Sequence, residues 1–166
     1  MVDQSVTIYI DYKSPYAYLA VEPTWTLARD YEVTLKWLPY TLDIPDFLGS
    51  AKVDNQGKVL EAARSPHQWR RERYSYMDVR RYANLRGLTV RGPQKIWDSS
   101  LAAIGLLYAQ KQGKFRDYND KVYERFWHRQ LDIEDPLVIK SILAETNVDV
   151  ADFDAFAAKE GPALHK

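Results

Sequence analysis

Ser14, Pro15, Tyr16 and Ala17 stand where a β-branched run gives way to a helical pattern. Two cysteines spaced C-x-x-C at such a strand-to-helix junction would mark thiol–disulfide chemistry. Here Ser14 and Ala17 fill both sulfur positions, and the chain contains no cysteine at all. The protein can therefore neither exchange disulfides nor hold a metal through its own thiolates. What the motif offers is a hydroxyl at the head of a helix, suited to holding a thiolate that another molecule brings. A free thiol ionises near pH 8.5, and making it mostly thiolate at neutral pH takes about 2–3 kcal/mol. A hydrogen bond to a charged acceptor supplies about 1.5–3 kcal/mol, and a helix N-terminus adds about 0.3–1 kcal/mol. Ser14 donates a hydrogen bond in this role and needs no base beside it. The plain alternative is that Ser14-Pro15 is an ordinary helix cap.

The remaining reactive side chains form weaker patterns. Tyr16, at the second helical position, faces outward over the site, where it either touches a ligand or packs on neighbouring helices. Arginines crowd the stretch from Arg64 to Arg91. At about 100° per residue, Arg70, Arg71 and Arg81 fall opposite the Trp69/Tyr76/Ala83 face, while Arg73 and Arg80 border it. Such a face either forks onto ligand carboxylates or is solvated. His67, His128 and His165 show no ligand spacing, so no metal site is expected. Trp97 and Trp127 read as core, Asp132 and Asp135 as cap and turn residues, and Asp54-Asn55-Gln56-Gly57 as a turn and nothing more. There is no glycine-rich phosphate loop and no Ser-His-Asp arrangement.

The elements that must position Ser14 follow from periodicity. Residues 5–10 read as a buried strand ending at Asp11. A helix from Ser14 to about Asp30 follows, with Pro23 inside it expected to kink it. Residues 32–39 read as a second strand, so this is a βαβ unit with parallel strands. Pro45, Gly49 and the turn at 54–57 mark a long connection. From about Ser65 the pattern is helical: one helix ends near Gly87 and a second runs from Trp97 to near Gly113. Phe115 to Phe126 forms a third, Asp135-Pro136 starts a fourth, and Asp152 to Lys159 forms a short fifth before Gly161-Pro162. Two parallel strands by themselves make a marginal sheet with open edges.

The run Ile10-Asp11-Tyr12-Lys13-Ser14-Pro15-Tyr16-Ala17-Tyr18-Leu19-Ala20 resembles the start of the 2-hydroxychromene-2-carboxylate isomerases and kappa-class glutathione transferases, within the DsbA-like thioredoxin superfamily. The likeness continues from Tyr74 to Ala83 and from Phe126 to Pro136, so it spans nearly the whole chain. It implies an α/β, thioredoxin-like fold, in which a βαβ unit at 1–40 is followed by a large all-helical part at 41–166. It further implies glutathione as cofactor, its sulfur beside a catalytic Ser14 with Pro15 and Tyr16 as cofactor-binding neighbours. The expected activity is a glutathione-dependent isomerisation of the 2-hydroxychromene-2-carboxylate type. The alternatives are a kappa-type transferase and a truncated, non-catalytic binding module; disulfide oxidoreductase activity is excluded by the missing sulfur. Two departures stand out. The family's asparagine before a Pro-Pro pair is absent from Glu61-Ala62-Ala63-Arg64-Ser65-Pro66, and the C-terminal strands of the thioredoxin fold, with their cis-proline turn, are expected to be absent from this chain.

Composition fits this frame. Its 166 residues suffice for a real core, and 46% apolar with 13% aromatic residues fits a folded protein, not a disordered one. The 23 basic and 23 acidic residues cancel, which gives no global field for nucleic acid or a membrane surface. The polar start Met1-Val2-Asp3-Gln4 is unlike a signal peptide, and no apolar run is of membrane-spanning length. A cytoplasmic protein is expected, acting on a small aromatic or electrophilic substrate and assembling as a homo-oligomer if its strand edge is covered by another copy.

Overall fold

The β-branched run Ser5–Ile10 (β1) pairs in parallel with Thr34–Pro39 (β2), in a register from Ser5 opposite Thr34 to Ile10 opposite Pro39. Parallel neighbours need a crossover, and Pro15–Tyr31 (α1) supplies it. The computed structural model describes residues 4–165, and all that follows concerns these. Helix α1 begins under a Ser14 cap with Pro15 at its first position. It ends on Glu32, held at φ 53° in the left-handed region with its N–H bonded to the Ala28 carbonyl.

Helix α1 runs through Pro23 as one helix. A proline cannot donate to the carbonyl four residues back, here that of Leu19. That carbonyl instead accepts Nη1 of Arg86 at 2.5 Å, from the end of the third helix described below.

The connection after β2 is more structured than its sequence indicates. Ile44–Leu48 forms a short helix (α2), and Ala51–Val53 (β3) pairs antiparallel with Val59–Ala62 (β4). Asp54-Asn55-Gln56-Gly57, read from sequence as a turn and nothing more, is the turn of this hairpin. The Asp54 N–H donates to the Lys58 carbonyl, Asp54 Oδ1 accepts the N–H groups of Gln56 and Lys58, and Gly57 takes φ +85°.

The helical part consists of Pro66–Leu85 (α3), Ser100–Lys111 (α4), Phe115–Trp127 (α5), Pro136–Glu145 (α6), Phe153–Ala158 (α7) and Glu160–His165 (α8). Ser65 and Gln68 close a reciprocal capping box at the head of α3, and Asp135 caps α6. Trp97, expected at the start of the second of these helices, precedes α4. Gly161-Pro162, expected to follow the last helix as a terminator, lies inside α8. Pro162 occupies the first turn of α8, where its missing N–H is no loss, and Gly161 lets that turn approach α4: a Cβ there would meet Ile104 Cγ2 at 2.5 Å.

Helix α4 is the axis of the core, buried from Ala102 to Ala109. Around it pack Tyr118, Val122 and Trp127 of α5, Ile139, Ile142 and Leu143 of α6, and Phe153 and Phe156 of α7. Ile10, Tyr12, Leu19 and Trp37 join the same apolar cluster, so the β1-α1-β2 unit and the helices share one core. The Trp37 carbonyl accepts Nε2 of Gln110 at 2.7 Å, which ties β2 to α4. Trp127 is fully buried, as its sequence reading expected.

Candidate functional site

Asp11 organises the turn that carries Ser14. Its carboxylate is buried and accepts three hydrogen bonds: from the Lys13 N–H at 3.1 Å, the Ser99 hydroxyl at 2.6 Å and the Leu42 N–H at 2.7 Å. The Lys13 ammonium lies 3.6 Å from its Oδ2. The Asp11 carbonyl accepts the Ser14 N–H at 3.0 Å and the buried Tyr123 hydroxyl at 3.2 Å. The end of β1, the β2–α2 loop, the start of α4 and helix α5 thus converge on one residue three positions before Ser14.

Ser14 itself is half-buried. Its Oγ accepts the Ala17 N–H at 3.3 Å, an N-cap that leaves the hydroxyl proton free. Among the described residues that proton has no acceptor, and Ser14 lines a cavity of about 360 Å³. The volume lies within the range of small-molecule sites, about 300–1,000 Å³.

The cavity walls come from separate segments. Lys13 to Tyr16 form one side, and Ile44, Phe47 and Leu48 of α2 with Ala51 and Val53 of β3 form a cap. Arg64, Trp69, Arg71, Glu72 and Tyr76, in and just before α3, face Pro93 to Trp97 across it. Two hydrogen bonds fix this last loop, from the Arg91 N–H to the Trp127 carbonyl at 2.9 Å and from Arg129 Nε to the Gly92 carbonyl at 2.7 Å. The hairpin is fastened to the loop by the Val53 N–H on the Gln94 carbonyl and by the Gln94 side-chain amide on Asn55.

The charge in the cavity is unbalanced. Among the lining residues Lys13, Arg64, Arg71 and Lys95 are cationic and Glu72 alone is acidic. Arg64 lies 3.7 Å from Glu72 and over the Trp69 ring, and Lys95 pairs with Glu134 at 2.5 Å. Arg71 has no carboxylate partner among the described residues and sits over the Phe47 ring. Burial pushes the Tyr76 phenol far above its ordinary range, so it stays protonated as a hydrogen-bond donor. The arrangement suits an anionic ligand with apolar parts, and a thiolate at Ser14 in particular.

The three site residues expected from sequence come together here. Pro15 forms wall at the first turn of α1, and Tyr16 lies at the mouth, 45% exposed, its hydroxyl donating to Asp78 Oδ2 of α3 at 3.2 Å. Burial raises the Tyr16 phenol as well. Trp97, expected in the core, packs half-buried against it and also contributes a cavity wall. Of the arginines, Arg64 and Arg71 reach the cavity; Arg80 instead donates to the Val90 carbonyl and Arg81 to Asp78. Sequence reasoning passed over Asp11, Lys13, Leu42, Ser99 and Lys95. Asp11 and Lys13 stood inside the motif, while the other three reach the site only through tertiary structure.

A larger cleft of about 840 Å³ lies on another side of α1, between Glu22, Arg86, Asp120 and His128. None of Ser14, Pro15 and Tyr16 lines it. The His128 ring is bonded through Nδ1 to the Glu124 carbonyl, and the His165 Nε2 lies 2.8 Å from Thr41 Oγ1. Among the described residues no cluster of His, Asp or Glu could hold a metal ion, and no helix is long and apolar enough to cross a membrane.

Comparison with known proteins bears on the fold. Among solved structures, a 2-hydroxychromene-2-carboxylate isomerase matches with a TM-score of 0.67 at 21% identity, over 98% of this chain and 77% of that one. A probable DsbA oxidoreductase from Streptomyces coelicolor matches with a TM-score of 0.69 at 16% identity, over 97% of this chain and 69% of that one. At these identities the likeness is one of fold: mixed α/β, thioredoxin-like, dominated by helices. A search of curated proteins finds no match. The family model of the DSBA-like thioredoxin domain matches residues 5–163, and the chain belongs to that family.

Proposed function

We propose that this protein binds glutathione in the Ser14 cavity and uses it as the cofactor of an isomerase of the 2-hydroxychromene-2-carboxylate isomerase type. The observation that carries the reading is the free Ser14 hydroxyl proton at the head of α1, on the wall of a cationic cavity, in a chain without cysteine. The donor set fits the tripeptide: Ser14 for the sulfur, Arg71 for a carboxylate, and Phe47, Trp69 and Trp97 as apolar walls for a conjugated substrate. When bound, glutathione supplies a nucleophile that adds reversibly to a conjugated bond, permits rotation and departs unconsumed. The chain's own task is to orient the tripeptide, to donate from Ser14 to its sulfur and to keep the sulfur charged.

Calorimetry with glutathione, followed by isomerisation of 2-hydroxychromene-2-carboxylate with the free thiol counted before and after, tests this. The expected result is saturable binding and turnover with glutathione recovered intact. Glutathione consumed in step with turnover would move the assignment to a transferase. No binding at millimolar glutathione overturns the reading.

A further inference from the structure

Lys13 is the charged group that the thiol-binding reading leaves unused. Its side chain is 5% exposed, yet the residue lines the Ser14 cavity. Among the described residues its ammonium donates no hydrogen bond; its nearest acid, Asp11 Oδ2, is 3.6 Å away and already takes the Leu42 N–H. Nor is the ammonium sealed in. Among the described residues, the fully enclosed polar side-chain atoms without a partner are Tyr12 Oη, Trp25 Nε1, Trp37 Nε1, Asn119 Oδ1 and Trp127 Nε1, and Lys13 Nζ is not one of them. Beside its ion pair with Asp11, this nearly buried ammonium keeps N–H donors that a second anion can accept. Lys13 opens onto the cavity on which Ser14 stands.

We propose that the Lys13 ammonium is the fixed charge facing the sulfur position, so that a thiol held at Ser14 ionises under the joint action of the Ser14 hydroxyl and the Lys13 cation. The assignment rests on the thiol-binding reading above and adds a residue to it. The charged groups around Lys13 are Asp11 on its own turn, Asp98 ahead of α4, and Arg64, Arg71, Glu72 and Lys95 around the cavity. Asp11 is engaged by three hydrogen bonds. Asp98 is held low chiefly by its hydrogen bonds to Ser100, with Lys13 adding to the effect. Asp11 balances part of the ammonium's charge at 3.6 Å, but among the described residues no group takes its N–H donors, which stay open to a second anion at the cavity wall. Sulfur is favoured over a ligand carboxylate because Lys13 immediately precedes Ser14, whereas Arg71 lies in α3 on a different wall.

The test titrates the thiolate absorbance of glutathione bound to the full chain. An opposite charge within reach lowers a pKa by about 1–3 units. Lys13→Gln is expected to raise the bound-thiol pKa by about one unit, a tenfold fall in its ionisation constant, and Lys13→Arg to leave it near wild type. Binding of S-methylglutathione, which has no thiol to ionise, is expected to be unchanged in Lys13→Gln. An unaltered bound-thiol pKa overturns the proposal, as does an equal loss of affinity for glutathione and S-methylglutathione, which would make Lys13 a carboxylate anchor. The wild-type protein gives a measurement that needs no variant: glutathione sulfonate, anionic at the sulfur position, should bind about tenfold more tightly than S-methylglutathione. Equal binding overturns the proposal. Failure of the wild type to bind any of the three ligands overturns the function reading itself, an outcome distinct from binding with an indifferent Lys13.

Discussion

The Ser99 hydroxyl donates to Asp11 Oδ1 at 2.6 Å, joining the start of α4 to the turn that carries Ser14 across 88 positions of sequence. Both residues are buried. A hydrogen bond to a charged group contributes about 1.5–3 kcal/mol, so Ser99→Ala should lower stability by about that much in urea unfolding. Asp11→Ala should be more severe, about 3–5 kcal/mol, because it strands the buried Lys13 ammonium and frees two backbone N–H groups. A loss of under about 0.5 kcal/mol for Asp11→Ala, within the ordinary range for surface substitutions, would refute its role as the organiser of the turn.

Ser14 has two separable duties. As the α1 cap it accepts the Ala17 N–H, and Ser14→Ala should cost about 1 kcal/mol of stability. As the donor to a sulfur it is judged by glutathione binding. Ser14→Asp keeps a capping oxygen but replaces the donor with a negative charge. It should melt close to wild type while losing the thermal shift that glutathione produces. Retention of that shift in Ser14→Asp would separate Ser14 from ligand binding.

How much of this site was legible in the sequence depended on the range of the interactions involved. The Ser14 cap and the parallel β1-α1-β2 unit rest on contacts within a few residues or on period, and both were readable. The β3–β4 hairpin was not, because strands of three and four residues are too short for alternation to stand out and the register is interrupted between Lys52 and Val53. Helix α8 defied the terminator reading of Gly161-Pro162 because the need for that glycine comes from Ile104, on another helix. The cationic cavity required Lys13, Arg64, Arg71 and Lys95 to converge from separate segments. Of these, Arg64 and Arg71 were noticed only as part of an arginine-rich stretch.

Asp120 lines the larger cleft, and burial raises its carboxyl pKa despite its hydrogen bonds to Asn119 and Arg116. A carboxyl whose folded pKa is raised is penalised once it ionises. The penalty appears as pH rises above the unfolded value, about 3.9, and is complete above the folded one. Asp120→Asn should therefore be more stable than wild type at pH 7 and lose that advantage on acidification to about pH 3, below the unfolded value. Urea midpoints of the two proteins across this range check it. A stability difference that does not change with pH would count against the burial argument.

Gly105 of α4 leaves room for the Tyr118 side chain of α5. A Cβ at this position would lie 2.2 Å from the Tyr118 hydroxyl, which donates to the Ala102 carbonyl inside the core. Alanine gains about 1 kcal/mol over glycine in helix propensity, but overpacking a tight core costs about 1–3 kcal/mol. Gly105→Ala should thus be neutral to destabilising by about 2 kcal/mol, against the propensity trend. Tyr118→Phe removes the clashing oxygen, so Gly105→Ala should cost less in the Tyr118→Phe background than in the wild type. If Gly105→Ala stabilises the protein, the packing at this crossing is looser than the structure has it.

Arg86 and Pro23 form a compensating pair through a third residue. Pro23 leaves the Leu19 carbonyl without its helical donor, and Arg86 Nη1 supplies one from outside the helix at 2.5 Å. Arg86→Ala should cost about 1–3 kcal/mol in the wild-type background, the cost of a polar group left unpaired. Pro23→Ala restores an N–H within α1 that can reach the Leu19 carbonyl. In that background Arg86 becomes redundant, and its truncation should cost much less. A double-mutant cycle read by urea unfolding should therefore show a coupling of about 1 kcal/mol between two residues whose link is one shared carbonyl. Strict additivity would mean that Arg86 stabilises the molecule by some other route, and that the continuity of α1 through Pro23 does not depend on it.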